Sequence, residues 1–206
     1  ILSINSSVFV SNNISAVLLW NASSVNITFS HVVWSNSSKF AFDDTGHIML
    51  YPYTSGVQIS YLNCSDGAFE YGGTCIHTYG SVKDLNVTYS NFENMTGGLL
   101  GRVSGAKYGG YFGAGTGVSN FNVSYNRFNH LISAFDIHAS ESFAIGNNVT
   151  NCLYGTNIRP FPHLSMSSNN YTGIVFAFSV WDDLPSDNFT ELHNSLEHNI
   201  APSNTI

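Results

Sequence analysis

The 206 residues are 43% hydrophobic and 14% aromatic, enough for one substantial core in a single elongated domain. Only 9% are charged, against about 25% in ordinary soluble domains, and 6 Lys plus Arg against 13 Asp plus Glu, net −7, exclude a basic surface for nucleic acid. No apolar run approaches the ~18 residues of a membrane span, so Asn, Ser, Thr and Gly must carry solubility. A start at Ile1 with no signal sequence leads us to expect a processed chain or a fragment of a longer one.

In chain order, one pattern recurs: an apolar residue, any residue, an apolar residue, Ser/Thr/Gly, then within three or four positions an Asn and another apolar side chain. It is read at 8–14 (VFVSNNI), 25–32 (VNITFSHV), 57–64 (VQISYLNC), 85–92 (LNVTYSNF), 121–128 (FNVSYNRF), 143–149 (FAIGNNV) and 164–171 (LSMSSNNY). A further apolar residue follows three positions on, as in Ile14/Val17, Phe92/Met95, Phe128/Leu131, Val149/Cys152 and Tyr171/Ile174. The shortest steps between starts are 17 to 22 residues. Alternating strands at that period predict a solenoid whose coil is two or three short strands, each stacking on its copy at ~4.8 Å.

The Asn and apolar spacing at Asn91, Phe92, Asn94 and Met95, and again at Asn148, Val149, Asn151 and Cys152, resembles the right-handed parallel β-helix of pectate-lyase-like proteins over roughly residues 8–180. That resemblance implies stacked Asn side chains hydrogen-bonding along an interior turn, where they satisfy backbone groups otherwise buried unpaired. The expected fold is therefore all-β, a right-handed parallel β-helix of about seven coils over 25–181. Residues 1–24, with the apolar strand 16–20, would form an N-terminal cap or a strand donated to a neighbouring subunit. The alternative is a β-sandwich with that donated strand. After Trp181 the chain changes character. Asn188 and Glu191 have capping-box spacing, and Phe189, Leu192, Leu196 and Ile200 share a helical stripe, which predicts a short capping helix within 182–206.

Twelve N-x-S/T sequons are present, at Asn5, Asn13, Asn21, Asn26, Asn36, Asn63, Asn86, Asn94, Asn122, Asn148, Asn170 and Asn188. They predict N-glycosylation of a secreted chain. Asn26, Asn86 and Asn122 take the second position of their strands and are expected in one outward column. With Asn5, Asn21, Asn36 and Asn188 they are the candidate glycan sites. Asn13, Asn63, Asn94, Asn148 and Asn170 lie at or beside the expected interior turn, and some of them should be bare. Of the three Cys, Cys64 and Cys75 are placed to form a disulfide in an oxidising compartment, and Cys152 takes an inward position as a small core residue.

Two Gly-rich insertions, 66–82 and 104–117, interrupt the coils, and the second offers Tyr108 and Tyr111 as contacts for a sugar or a partner surface. Coil alignment stacks Leu99, Phe135, Thr156 and Phe178 inward. It places Leu100, Asp136, Asn157 and Ala177 in one outward column and Arg102, His138, Arg159 and Ser179 in another. Asp136, His138 and Arg159 would then meet on one face as contacts for an acidic sugar. One carboxylate is too few for the family's hydrolases and no Asp/Glu cluster suits a calcium-dependent lyase, so no catalytic residue is assigned. His spacing gives no metal site, and no cofactor is expected.

The sequence therefore predicts an extracellular structural glycoprotein that associates with itself in a surface layer, filament or adhesin. Its low charge and many sequons resemble the composition of cell-surface proteins of thermoacidophilic archaea. A polysaccharide-binding or polysaccharide-cleaving protein is the alternative.

Overall fold

A computed structural model describes residues 1–11, 17–28, 30–34, 46–67, 74–78, 82–95, 112–113, 118–131, 133–137, 139–158, 164–180 and 195–197. These residues form a parallel β-helix, each coil giving one strand to each of three sheets. The first sheet stacks β1 (Leu2–Asn5), β4 (Ser23–Thr28), β7 (Thr54–Ser60), β10 (Val82–Thr88), β13 (Val118–Ser124), β16 (Ala139–Ile145), β19 (Leu164–Ser167) and β22 (Ser195–Glu197). The second stacks β2 (Val8–Ser11), β5 (His31–Trp34), β8 (Asn63–Gly67), β11 (Asn91–Met95), β14 (Arg127–Leu131), β17 (Asn148–Thr150) and β20 (Asn170–Thr172). The third stacks β3 (Val17–Leu19), β6 (Gly46–Leu50), β9 (Thr74–Thr78), β12 (Phe112–Gly113), β15 (Ser133–Ile137), β18 (Tyr154–Ile158) and β21 (Phe176–Val180). Every strand pairing among the described residues is parallel, which excludes the sandwich for them.

Alternation along each strand turns one side chain in and the next out, and in-register stacking turns each inward position into a column. Val25, Val57, Leu85 and Phe121 form one such column, and Ile27, Ile59, Val87 and Val123 the next, all at most 1% exposed. The second sheet contributes Cys64, Phe92, Phe128, Val149 and Tyr171, with the Phe92 and Phe128 rings stacked at 4.9 Å. Leu131, Cys152 and Ile174 are buried as expected. In the third sheet Phe135, Thr156 and Phe178 are in register as the sequence predicts.

The corners need residues in the left-handed region. Tyr61, Tyr89, Tyr125 and Ser168 take φ of 55°, 52°, 59° and 58° between the first and second sheets, with Gly146 at 65°. His130, Asn151 and Gly173 turn the chain between the second and third. A non-glycine residue there costs about 1–3 kcal/mol, offset by the pairing each corner permits on both sides. Backbone contact is closest at extended Gly155, where an added Cβ would lie 2.6 Å from the Ala177 carbonyl oxygen and 2.8 Å from the Tyr171 ring. Because the nearest obstacle is backbone, Gly155→Ala is expected to cost about 1–3 kcal/mol, read as a fall in the denaturant midpoint at unchanged slope.

Several sequence expectations are corrected. The first coil starts at Leu2, which pairs with Val25; residues 8–14 open in the second sheet, where Val8 pairs with His31. The strand expected at 16–20 contains β3, which pairs with β6 of the same chain. Segment 143–149 is not one residue short: Ser142 and Ala144 take the inward places opposite Phe121 and Val123, while Phe143 falls opposite Asn122 and is 40% exposed. Phe112, inside the Gly-rich insertion, pairs with Ile76 and Phe135 as a strand of the stack; Leu99, expected in that role, lies outside the described residues. In the tail, Leu196 pairs with Met166 in the strand β22, where a helix was expected; the remaining stripe residues lie outside the described residues. The disulfide is formed: Cys64 and Cys75, 11 apart in sequence and both fully buried, tie β8 to β9 within one coil.

Candidate functional site: outward asparagine columns and a tyrosine groove

Where the chain leaves the first sheet, Asn126, Asn147 and Asn169 form a buried ladder, 2%, 1% and 0% exposed. Asn147 Nδ2 donates to the Val123 carbonyl (2.9 Å) and to Asn169 Oδ1 (2.8 Å), and its Oδ1 accepts from the Asn126 backbone N–H (3.0 Å) and Nδ2 (3.2 Å). Asn126 and Asn169 repeat the scheme, donating to the Val87 and Ala144 carbonyls. Asn126 Oδ1 accepts from Ser90 N–H, and Ser90 Oγ accepts from Leu62 N–H, so a serine carries the same place one coil earlier. None of the three ladder asparagines belongs to a sequon.

Sequon asparagines instead turn outward. Asn5, Asn21, Asn26, Asn148 and Asn170 are exposed; Asn63, Asn86 and Asn122 are half-buried. Asn26, Asn86 and Asn122 do share one column, with Gln58 between the first two. A second column on the second sheet runs His31, Asn63, Asn91, Arg127, Asn148, Asn170. Amides hydrogen-bond along both: Asn122 Nδ2 donates to Asn86 Oδ1 (3.2 Å), Asn91 Nδ2 to Asn63 Oδ1 (2.9 Å) and Asn170 Nδ2 to Asn148 Oδ1 (3.3 Å). The ladder competition expected of Asn148 and Asn170 does not arise, since the residue just before each, Asn147 and Asn169, fills the interior. Asn13, Asn36 and Asn188 lie outside the described residues, and Asn94 lies in β11.

The acidic-sugar column is met only in part. Asp136 is in register with Asn157 and Gly113, and Ser179, not Ala177, continues that row; Ala177 is buried. Asp136, Asn157 and Ser179 each follow a member of the row Phe135, Thr156 and Phe178, whereas Ala177 precedes it. His138, Arg159, Tyr108 and Tyr111 lie outside the described residues. Among the described residues no three His, Cys, Asp or Glu side chains gather as a metal site would require, and no helix is long and apolar enough to cross a membrane.

Cys152, the free cysteine among the described residues, is a core residue whose Sγ–H donates to the Thr150 carbonyl. Burial pushes its thiol up to about 12, so it is not a nucleophile at neutral pH. Burial also raises Tyr171, whose hydroxyl bonds Thr156 Oγ1 at 2.8 Å. Both groups keep their protons in the folded state where the unfolded chain loses them. Their contribution is complete below pH about 9 and is lost as pH rises from there toward about 12. Cys152→Ala is therefore expected to flatten the fall of stability between pH 9 and 10, before Tyr171 contributes. Denaturant titrations at stepped pH measure it.

A feature absent from the sequence reading is a stack of tyrosines at the left-handed corner. Tyr61, Tyr89 and Tyr125 lie parallel with centroids 5.5 and 5.3 Å apart, and each is about half exposed. The stack ends at Gly146, where an added Cβ would meet the Tyr125 ring at 2.7 Å. Beside it lies a shallow depression of about 410 Å³, lined by Tyr89, Asn91, Tyr125, Arg127, Gly146 and Asn148, among others. Arg127 is exposed with no acid in ion-pair range among the described residues, and Asn91 Oδ1 has no hydrogen-bond partner. The signal was present in the sequence as Tyr at 61, 89 and 125, each following Ser or Thr, but it falls in the unscored gap between the strand and the Asn.

Comparison of the chain with protein-family models, with curated proteins and with solved structures finds no match.

Proposed function

We propose that this chain is an extracellular structural glycoprotein, a rigid β-helical rod coated with N-linked sugars that serves as a subunit of a surface layer, filament or adhesin. The carrying observation is the segregation of its asparagines. Those that hold the interior lack a sequon, and those with one, among the residues whose side chains are described, lie outside the core in columns or at turns. A disulfide in the core suits an oxidising compartment. Low charge is consistent with a surface solubilised by sugars and amides. The test is electron microscopy of the secreted material together with its intact mass before and after deglycosylation. Polymers of regular repeat and a mass loss support the reading; a dispersed, unmodified monomer overturns it.

A further inference from the structure

The depression beside the last tyrosine borders a sequon. Asn148 lines it, heads Asn148-Val149-Thr150 and is exposed. Its Oδ1 accepts from Asn170, but among the described residues its Nδ2, the atom a sugar would join, has no partner. Asn63 and Asn86 have equally open Nδ2 atoms, yet neither lines the depression. Arg127 sits in register with Asn148 on the neighbouring strand, and among the described residues no acid pairs with its guanidinium. The Tyr125 ring crosses over Gly146, two residues before Asn148, so no side chain stands at that corner between the ring and the Asn148 amide. At the preceding corners the next tyrosine occupies that place. The volume, about 410 Å³, falls toward the small end of the roughly 300–1,000 Å³ typical of small-ligand sites.

We propose that this depression seats the chain's own sugar: the pyranose N-linked to Asn148 packs against Tyr125, and the Arg127 guanidinium hydrogen-bonds its hydroxyl and acyl groups. The proposal rests on the glycoprotein reading above. In the modification itself, a separate transferase joins Asn148 Nδ2 to the anomeric carbon of a sugar carried on a diphosphate. The bond from that carbon to the diphosphate oxygen breaks, and one amide proton leaves to the transferase. The seated sugar shields the exposed tyrosine stack and holds the glycan along the rod.

The test compares the chain, Asn148→Gln, Tyr125→Ala and the double variant, each made in a secretory host that N-glycosylates and in one that does not. Trypsin spares the Arg159–Pro160 bond, so the peptide beginning at Phe128 carries Asn148, Asn170 and Asn188, and its fragmentation assigns the sugar. We expect Asn148 to be occupied. In the glycosylating host each single variant should lower Tm by about 2–4 °C, and the double should lower it no further than the larger single. In the other host Asn148→Gln should be silent. Should Tyr125→Ala fail to fold, ring-current shifts of sugar protons at Asn148 in the unaltered glycoprotein decide instead. Unshifted sugar protons, or additive variants in the glycosylating host, overturn the seat. Sugar at other sequons with Asn148 bare also overturns it and leaves the glycoprotein reading standing. Absence of sugar at every sequon overturns both.

Discussion

Replacing Asn147 with Leu is expected to lower the unfolding free energy by about 3–5 kcal/mol, while Asn148→Gln next to it, in unglycosylated protein, should change it by less than about 0.5 kcal/mol. Asn147 closes four hydrogen bonds inside the coil turn. A leucine there strands the Asn126 backbone N–H, the Val123 carbonyl and part of the Asn169 amide in a site without water. Each buried group left unpaired costs about 1–3 kcal/mol, and no rotation of a neighbour restores them because Asn126 and Asn169 are tied to their own carbonyls. Asn148 differs from Asn147 by one position and by facing outward. Urea titration of the two variants reads the contrast directly. Equal effects would mean that the interior ladder does not hold the turn.

Loss of the Cys64–Cys75 disulfide should be the second large effect. Cys64→Ala with Cys75→Ala is expected to cost about 2–4 kcal/mol, chiefly because an open loop regains chain entropy in the unfolded state. Both cysteines are fully buried: Cys64 is in register with Val32 and Phe92 in the second sheet, and Cys75 stands next to Ile76 in β9 of the third. The double alanine variant therefore also opens a small cavity, and Cys64→Val with Cys75→Val should recover part of the loss. Thermal unfolding of the three proteins, with and without reductant, measures it. Reductant should reproduce the loss in the unaltered chain and leave both double variants unmoved.

Apolar alternation made the coil legible, because a column of inward side chains must repeat at each turn and nothing else in the chain does so as regularly. Phe92, Phe128, Val149 and Tyr171 were aligned correctly on that ground. The register failed where apolar letters and the ladder disagree. At 142–149 Phe143 looks like an inward residue, but stacking Asn147 on Asn126 forces Ser142 and Ala144 inside. A buried amide out of register is more costly than an exposed phenylalanine. At 195–197 the tail is a strand where a helix was expected, because the open edge of β19 offers unpaired backbone groups that parallel pairing satisfies. The groove was hidden because its parts come from separate coils, and a tyrosine in a left-handed corner is not an apolar residue in a strand. Outward facing of Asn26, Asn86 and Asn122 was legible from alternation alone.

The most direct test of the glycoprotein reading is site-resolved mass spectrometry of sequon occupancy in the chain recovered from its natural source. The account predicts sugar among the exposed asparagines Asn5, Asn21, Asn26, Asn148 and Asn170. Unmodified asparagine at every sequon would contradict it.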